Sequence, residues 1–231
     1  MDPRTAKPVR ILVVLTSHDR LGSTGQKTGF WLEEVAAPYL EFTRAGAEVD
    51  LASPAGGRAP ADPKSEGEPS QAARDFLADP VAAAKLAGTL RLAEVDPVAY
   101  DAVFVAGGHG VMWDLAEDAA AQRLLASMSA AGKVVSAVCH GPAALVNVVV
   151  AGQPLVRGRR VSAFTDAEER AASLEGVVPF ALEARLRSLG ALFEGGPLWG
   201  PFAVRDGNLV TGQNPASSVA VAREVLRALG T

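Results

Sequence analysis

Lys133-Val134-Val135-Ser136-Ala137-Val138-Cys139-His140-Gly141-Pro142-Ala143-Ala144-Leu145 is the stretch on which the fold turns. Val134 to Val138 form an apolar run of strand length, and Gly141-Pro142 then open an apolar helical run that reaches Val150. The only cysteine of the chain therefore stands where a buried strand breaks into a helix. A nucleophile at such an elbow is turned out of the sheet towards solvent, and small flanking residues let the backbone bend without Cβ clashes. The helix N-terminus stabilises negative charge, so the position is expected to favour thiolate, the reactive form of cysteine. The competing reading is a structural cysteine packed as a small hydrophobe. The strand–Cys-His-Gly-Pro–helix context weighs against it. A lone cysteine excludes a disulfide framework or a multi-cysteine zinc site within the chain.

Outward from this elbow the same rhythm recurs. Arg10 to Ser17 is a continuous apolar run ending in polar residues, as a strand covered on both faces requires. Gly29 to Ala45 has helical periodicity, with Trp31, Val35, Pro38 and Phe42 on one stripe and Gly46 as the stop. Ala47 to Ser53 alternates as a second strand, which completes a βαβ unit. Tyr100 to Val105 is a further strand, running into Ala106-Gly107-Gly108-His109-Gly110. Helices are expected over Glu117–Ala131, Ala167–Leu174 and Phe180–Leu189, with a short strand at Val161–Phe164. Phe202 to Thr211 reads as a hairpin about Asp206-Gly207, and Asn214-Pro215 begins a last helix to Leu229. The fold class is α/β: a flavodoxin-like, doubly wound, mostly parallel sheet with helices on both faces and a C-terminal hairpin. Ligands bind such sheets at the carboxyl ends of the strands, here Ser17–Gly29, Ala106–Gly110 and Cys139–Pro142.

The chain has 231 residues, 48% of them hydrophobic, which suits one α/β domain over residues 1–231. Pro54, Pro60, Pro63, Pro69 and Pro80, with many small polar residues, make 54–97 a surface insertion or cap, partly helical over Ser70–Ala87. A net charge of −4 without a Lys/Arg cluster gives no reason to expect nucleic acid. No apolar run of about eighteen residues marks a membrane span. Met1 to Pro8 has no apolar core of a secretory signal, so a reducing cytoplasmic setting is expected.

Three groups are candidates to serve the thiol. His140 is its neighbour, either as a base or as an orienting group. Gly107 and Gly108 offer backbone N–H groups for an oxyanion at an adjacent strand end. On the helical wheel Glu34 lies about 60° from the inner stripe and Glu33 nearly opposite it. Glu33 is then a solvated charge, while Glu34 is an inward acid, able to hold the thiolate or transfer a proton; a half-exposed helix acid is the plainer alternative. His18 occupies the first strand-end loop, but no second histidine has plausible ligand spacing, so no metal is expected.

Together these residues resemble the PfpI-like branch of the class I glutamine-amidotransferase-like superfamily, nearest to its glyoxalase III and heat-shock-chaperone group. The resemblance spans nearly the whole chain. It rests on Leu15-Thr16-Ser17, Lys27-Thr28-Gly29 with Glu34 and Pro38, Ala106–Gly110, Ala137–Pro142, Phe164-Thr165-Asp166 with Glu169, and Val210–Ser217. It implies Cys139 as nucleophile with His140 beside it, Glu34 as the helix acid, and Glu169 as third acid of a Cys-His-acid triad, with Glu168 a neighbouring rival. The Gly108 and His140 N–H groups would then hold the oxyanion. The implied chemistry is cofactor-independent conversion of methylglyoxal or a similar 2-oxoaldehyde, a small dicarbonyl, to D-lactate or another 2-hydroxy acid. A homodimer needing no metal, nucleotide or glutathione is also implied. The alternatives are a cysteine hydrolase (peptidase, amidase or protein deglycase) and a stress chaperone or redox sensor.

Overall fold

The computed structural model describes residues 7–231; the reading of a missing secretory signal rests mainly on residues 1–6, outside the described residues. The strands are β1 (Arg10–Val14), β2 (Glu48–Ser53), β3 (Leu90–Arg91), β4 (Ala102–Val105), β5 (Val134–Val138), β6 (Val149–Val150), β7 (Gln153–Pro154), β8 (Arg160–Val161), β9 (Leu192–Phe193), β10 (Ala203–Asp206) and β11 (Leu209–Gly212). The helices are α1 (Glu33–Arg44), α2 (Pro63–Glu66), α3 (Gln71–Ala78), α4 (Pro80–Ala87), α5 (Ala119–Ala130), α6 (Asp166–Ala171), α7 (Leu182–Ser188) and α8 (Ser218–Leu229).

Seven strands form the central sheet in the order β10-β11-β5-β4-β1-β2-β3. Every neighbouring pair is parallel except the β10–β11 hairpin. The chain winds outward from β1 to β3, then returns to β4 and winds the other way. That reversal leaves a crevice at the carboxyl ends of β1 and β4, the place where doubly wound sheets bind ligands.

Alternation along the strands divides the core. Ile11, Val13 and Phe104 pack under α1 and α8, while Leu12, Val14, Val103 and Val105 pack under α5. On the first face Phe42 meets Phe104 edge-to-face, 5.8 Å between ring centres. Full burial of such a side chain stabilises by about 1.5–3 kcal/mol. Continuous burial on both faces is what the unbroken apolar strands demand.

Three expected elements differ. Helix α1 starts at Glu33 rather than Gly29, because Phe30 N–H donates to Pro60 O and Trp31 N–H to Gly107 O, which commits that backbone elsewhere. A Cβ at Gly29 would lie 2.0 Å from Pro60 O, so only glycine permits the crossing. The helix expected through Val150 is a single 3-10 turn over Gly141–Leu145. Beyond it β6 pairs with β7 across Ala151-Gly152, both at positive φ as a tight hairpin turn requires. The strand expected at Val161–Phe164 is reduced to β8, paired with β9 outside the main sheet, since Ser162 N–H and Phe164 N–H donate to Thr211 Oγ1 and Cys139 O instead.

Residues 54–97 hold α2, α3, α4 and β3, and β3 extends the sheet edge beside Ala52 and Ser53. Phe76 of α3 is fully buried against Tyr39 of α1. Among the described residues no helix is long and apolar enough to cross a membrane.

Candidate active site

Cys139 directly follows β5, with φ +60°, a region L side chains rarely adopt. Its backbone is clamped from both sides: Cys139 N–H donates to Gly212 O at 2.9 Å, and Phe164 N–H donates to Cys139 O at 2.8 Å. The elbow therefore exists, but the sulfur is not thrust into solvent. Cys139 is 3% exposed and sits at the floor of a cavity of about 350 Å³. Burial and the neighbouring Glu34 push the thiol well above the usual cysteine range, against the pull of the Gly108 and His140 N–H groups. The expected thiolate is thus corrected to a resting thiol. A single 3-10 turn supplies little helix dipole, and desolvation outweighs it.

On one side of the sulfur stands Glu34, fully buried in the first turn of α1 as its place on the inner stripe requires. Its Oε2 accepts the Gly107 N–H at 2.8 Å. Its Oε1 has no hydrogen-bond partner among the described residues. Burial lifts this carboxyl to about 8, with hydrogen bonds from Cys139 and Gly107 only partly offsetting the loss of water. Glu34 is therefore protonated at neutral pH. Glu33 is half-buried rather than freely solvated, and accepts a hydrogen bond from the Ser70 hydroxyl at the start of α3.

On the other side His140 Nδ1 lies 3.4 Å from Cys139 Sγ, and His140 Nε2 lies 2.8 Å from Glu169 Oε2. An ionised carboxylate only accepts, so Nε2 carries the proton and Nδ1 offers its lone pair to the thiol. Burial, reinforced by His109, lowers His140 to about 4 although Glu169 opposes this. Burial would raise Glu169, but hydrogen bonds from His109 and His140 outweigh it and hold the carboxyl down at about 2.

Glu169 and Glu168 are adjacent on α6 yet have separate partners. Glu168 closes a capping box with Thr165, and its Oε1 accepts Trp199 N–H, Gln213 Nε2 and Asn214 Nδ2 at 2.8 to 3.0 Å. Glu169 alone of the two reaches His140.

The structure corrects Gly107 as an oxyanion donor, because its N–H is engaged by Glu34. Gly107 serves by lacking a side chain: a Cβ there would sit 2.5 Å from Glu34 Oε2. The Gly108 and His140 N–H groups remain directed at the sulfur.

Reading the sequence missed the side chain of His109, whose Nε2 lies 2.8 Å from Glu169 Oε1 and whose ring centre is 4.0 Å from that of His140. The signal was available: His109 is one of three histidines in the chain and lies in the loop that follows β4, the strand beside β5. Its presence overturns the statement that no second histidine has ligand spacing, since donor atoms of His109, His140 and Glu169 lie within 4.8 Å of one another. Both Nε2 atoms stand at hydrogen-bond distance from the carboxylate, closer than the about 3.3 Å that separates two ligands of one tetrahedral zinc ion. His18 is apart from this cluster, stacked on Trp113 with its Nε2 against Arg20 O.

A doubly wound α/β protein with cysteine, histidine and glutamate in hydrogen-bonded series at a strand-end elbow is defined by these features. The DJ-1/PfpI family model matches residues 27–228, and the chain belongs to that family. It is 32% identical over 237 residues to glyoxalase 3 of Candida albicans, covering 95% of this chain and 98% of that protein. It is 31% identical over 241 residues to the glutathione-independent glyoxalase HSP31 of Saccharomyces cerevisiae, covering 96% and 98%. The crystal structure of glyoxalase III from Candida albicans superposes with a TM-score of 0.86 at 31% identity, over 95% of this chain and 97% of that one.

Proposed function

We propose that this protein is a glutathione-independent glyoxalase that converts methylglyoxal or a related 2-oxoaldehyde to the 2-hydroxy acid without a cofactor. The series Cys139–His140–Glu169 lying against a protonated Glu34 carries this proposal. His140 Nδ1 takes the thiol proton as Sγ bonds to the aldehyde carbon, and the resulting oxyanion is met by the Gly108 and His140 N–H groups. Protonation gives a hemithioacetal. Its C–H proton is then removed and returned to the neighbouring ketone carbon through an enediol. Glu34 suits that exchange, because a carboxyl near 8 both gives and takes a proton around neutrality. The product is a thioester of the 2-hydroxy acid. Water cleaves it, restoring the thiol, so the overall reaction adds one water to the substrate.

Hydrolysis of an amide by the same series is the second reading. It needs the nucleophile and base but gives a protonated Glu34 no task, which favours the isomerising reaction. The test is turnover of methylglyoxal without glutathione, with Cys139→Ala as control and amides as competing substrates. In heavy water solvent deuterium should enter carbon 2 of the lactate. A homodimer in the cytoplasm belongs to the same proposal, and sedimentation of the purified chain tests the dimer.

A further inference from the structure

We propose that the cavity is built for 2-oxoaldehydes bearing an aryl or similarly bulky apolar group, and that Trp199 selects them. This rests on the glyoxalase reading and names its substrate class. Methylglyoxal has five non-hydrogen atoms and, at the about 30 Å³ that a water molecule takes in the liquid, fills roughly 150 Å³ at most. The cavity holds about 350 Å³. Its lining, beside Cys139, His140 and polar groups such as Lys27, includes Leu21, Trp31, Phe164, Leu174 and Trp199. A three-carbon substrate leaves these apolar surfaces facing water, whereas an aryl group covers them.

The rings are arranged in series from the nucleophile outward. His140 lies 4.4 Å from Phe164 between ring centres, and Phe164 lies 5.7 Å from Trp199. An aromatic substituent on the carbonyl held at Cys139 therefore meets aromatic partners, tilted or offset, along its whole length.

Trp199 itself is held in a way that folding alone does not explain. It is 48% exposed, so it buries little, yet its backbone stands at φ +60°, rare for a bulky residue. The buried Glu168 fixes it there by accepting Trp199 N–H at 3.0 Å, and ties the same carboxylate oxygen to Gln213 and Asn214. Asn214 also donates to Gly200 O at 2.8 Å, pinning the backbone that follows Trp199. Three polar side chains thus fix the backbone that carries this half-exposed ring at the cavity wall. That arrangement is accounted for by contact with a ligand.

The experiment compares kcat/KM for methylglyoxal and phenylglyoxal in the full chain and in Trp199→Ala and Trp199→Phe. The wild type is expected to favour phenylglyoxal by about tenfold or more, as ring contact in an apolar pocket provides. Trp199→Ala should lower phenylglyoxal turnover by about tenfold and methylglyoxal turnover by less than about threefold, while Trp199→Phe keeps most of the preference. A wild type that favours methylglyoxal, or a Trp199→Ala that lowers both substrates by one factor, overturns the proposal. Calorimetric binding of mandelate and lactate, the aryl and methyl products, separates the pocket from the chemistry. Tighter binding of mandelate that disappears in Trp199→Ala supports the pocket even if neither aldehyde turns over, a result that would remove the glyoxalase reading alone. Equal binding of the two acids overturns the pocket.

Discussion

The two flanks of Cys139 each hold a buried glutamate, and the two are kept in opposite charge states. On the α1 side Glu34 has one backbone N–H, the Cys139 thiol and an oxygen without a partner among the described residues, and retains its proton up to about pH 8. On the α6 side Glu169 has an imidazole on each oxygen and stays ionised down to about pH 2. Both side chains have lost most of their water. The partners, not the depth, decide the charge. One sulfur is thereby given a proton donor on one side and a fixed base on the other.

The contrast is broken most severely by removing what lies between the flanks. Cys139→Ser should lower kcat/KM for methylglyoxal by about ten-thousandfold, since an alcohol in this setting is a far weaker nucleophile. D-lactate formation measures it, and survival of a tenth of the activity would refute the sulfur's role.

Glu169→Gln attacks only the ionised flank. The amide no longer demands the Nε2–H tautomer of His140, and kcat should fall by about a thousandfold. Glu169 is depressed from 4.5 to about 2 on folding. Its stabilisation is therefore present above about pH 4.5 and is lost as pH falls towards 2. Urea unfolding across that window should show a slope in the wild type that Glu169→Gln flattens.

Glu34→Gln attacks only the protonated flank and should lower kcat by about a hundredfold. Here the sign reverses. The folded carboxyl at about 8 lies above its ordinary value of 4.5, so its contribution is complete below about pH 4.5 and is lost as pH rises through 8. The wild type should weaken between pH 5 and 9 in urea, and Glu34→Gln should weaken less. Equal slopes would mean that the α1 flank is not a protonated acid.

Glu168→Gln is the mildest change and sharpens the contrast between neighbours. It should cost about 1–3 kcal/mol of stability through the capping box and the Trp199 segment. Methylglyoxal turnover should suffer at least about tenfold less than in Glu169→Gln. Comparable loss in the two variants would erase the distinction between them.

The strands of the sheet were legible because burial on both faces leaves no polar alternation, as in Ile11–Val14, Val103–Val105 and Val134–Val138. Glu34 was legible because a helix places residues by angle alone. The start of α1 and the turn after Cys139 were not, because both depend on distant partners, Pro60 and Gly107 for the first and the β6–β7 pairing for the second. His109 escaped for the same reason: its partner lies sixty residues away on another element. The edge strand β3 is two residues long and carries no periodicity at all.

The bend at Cys139 has one more implication. A side chain in the left-handed region carries a penalty of about 1–3 kcal/mol that glycine escapes. At this position the backbone would be most relaxed with glycine, the one amino acid that has no side chain and so no nucleophile to offer. A directed-evolution campaign rewarding heat resistance alone would thus be drawn towards Cys139→Gly, yielding a hardier and inert protein.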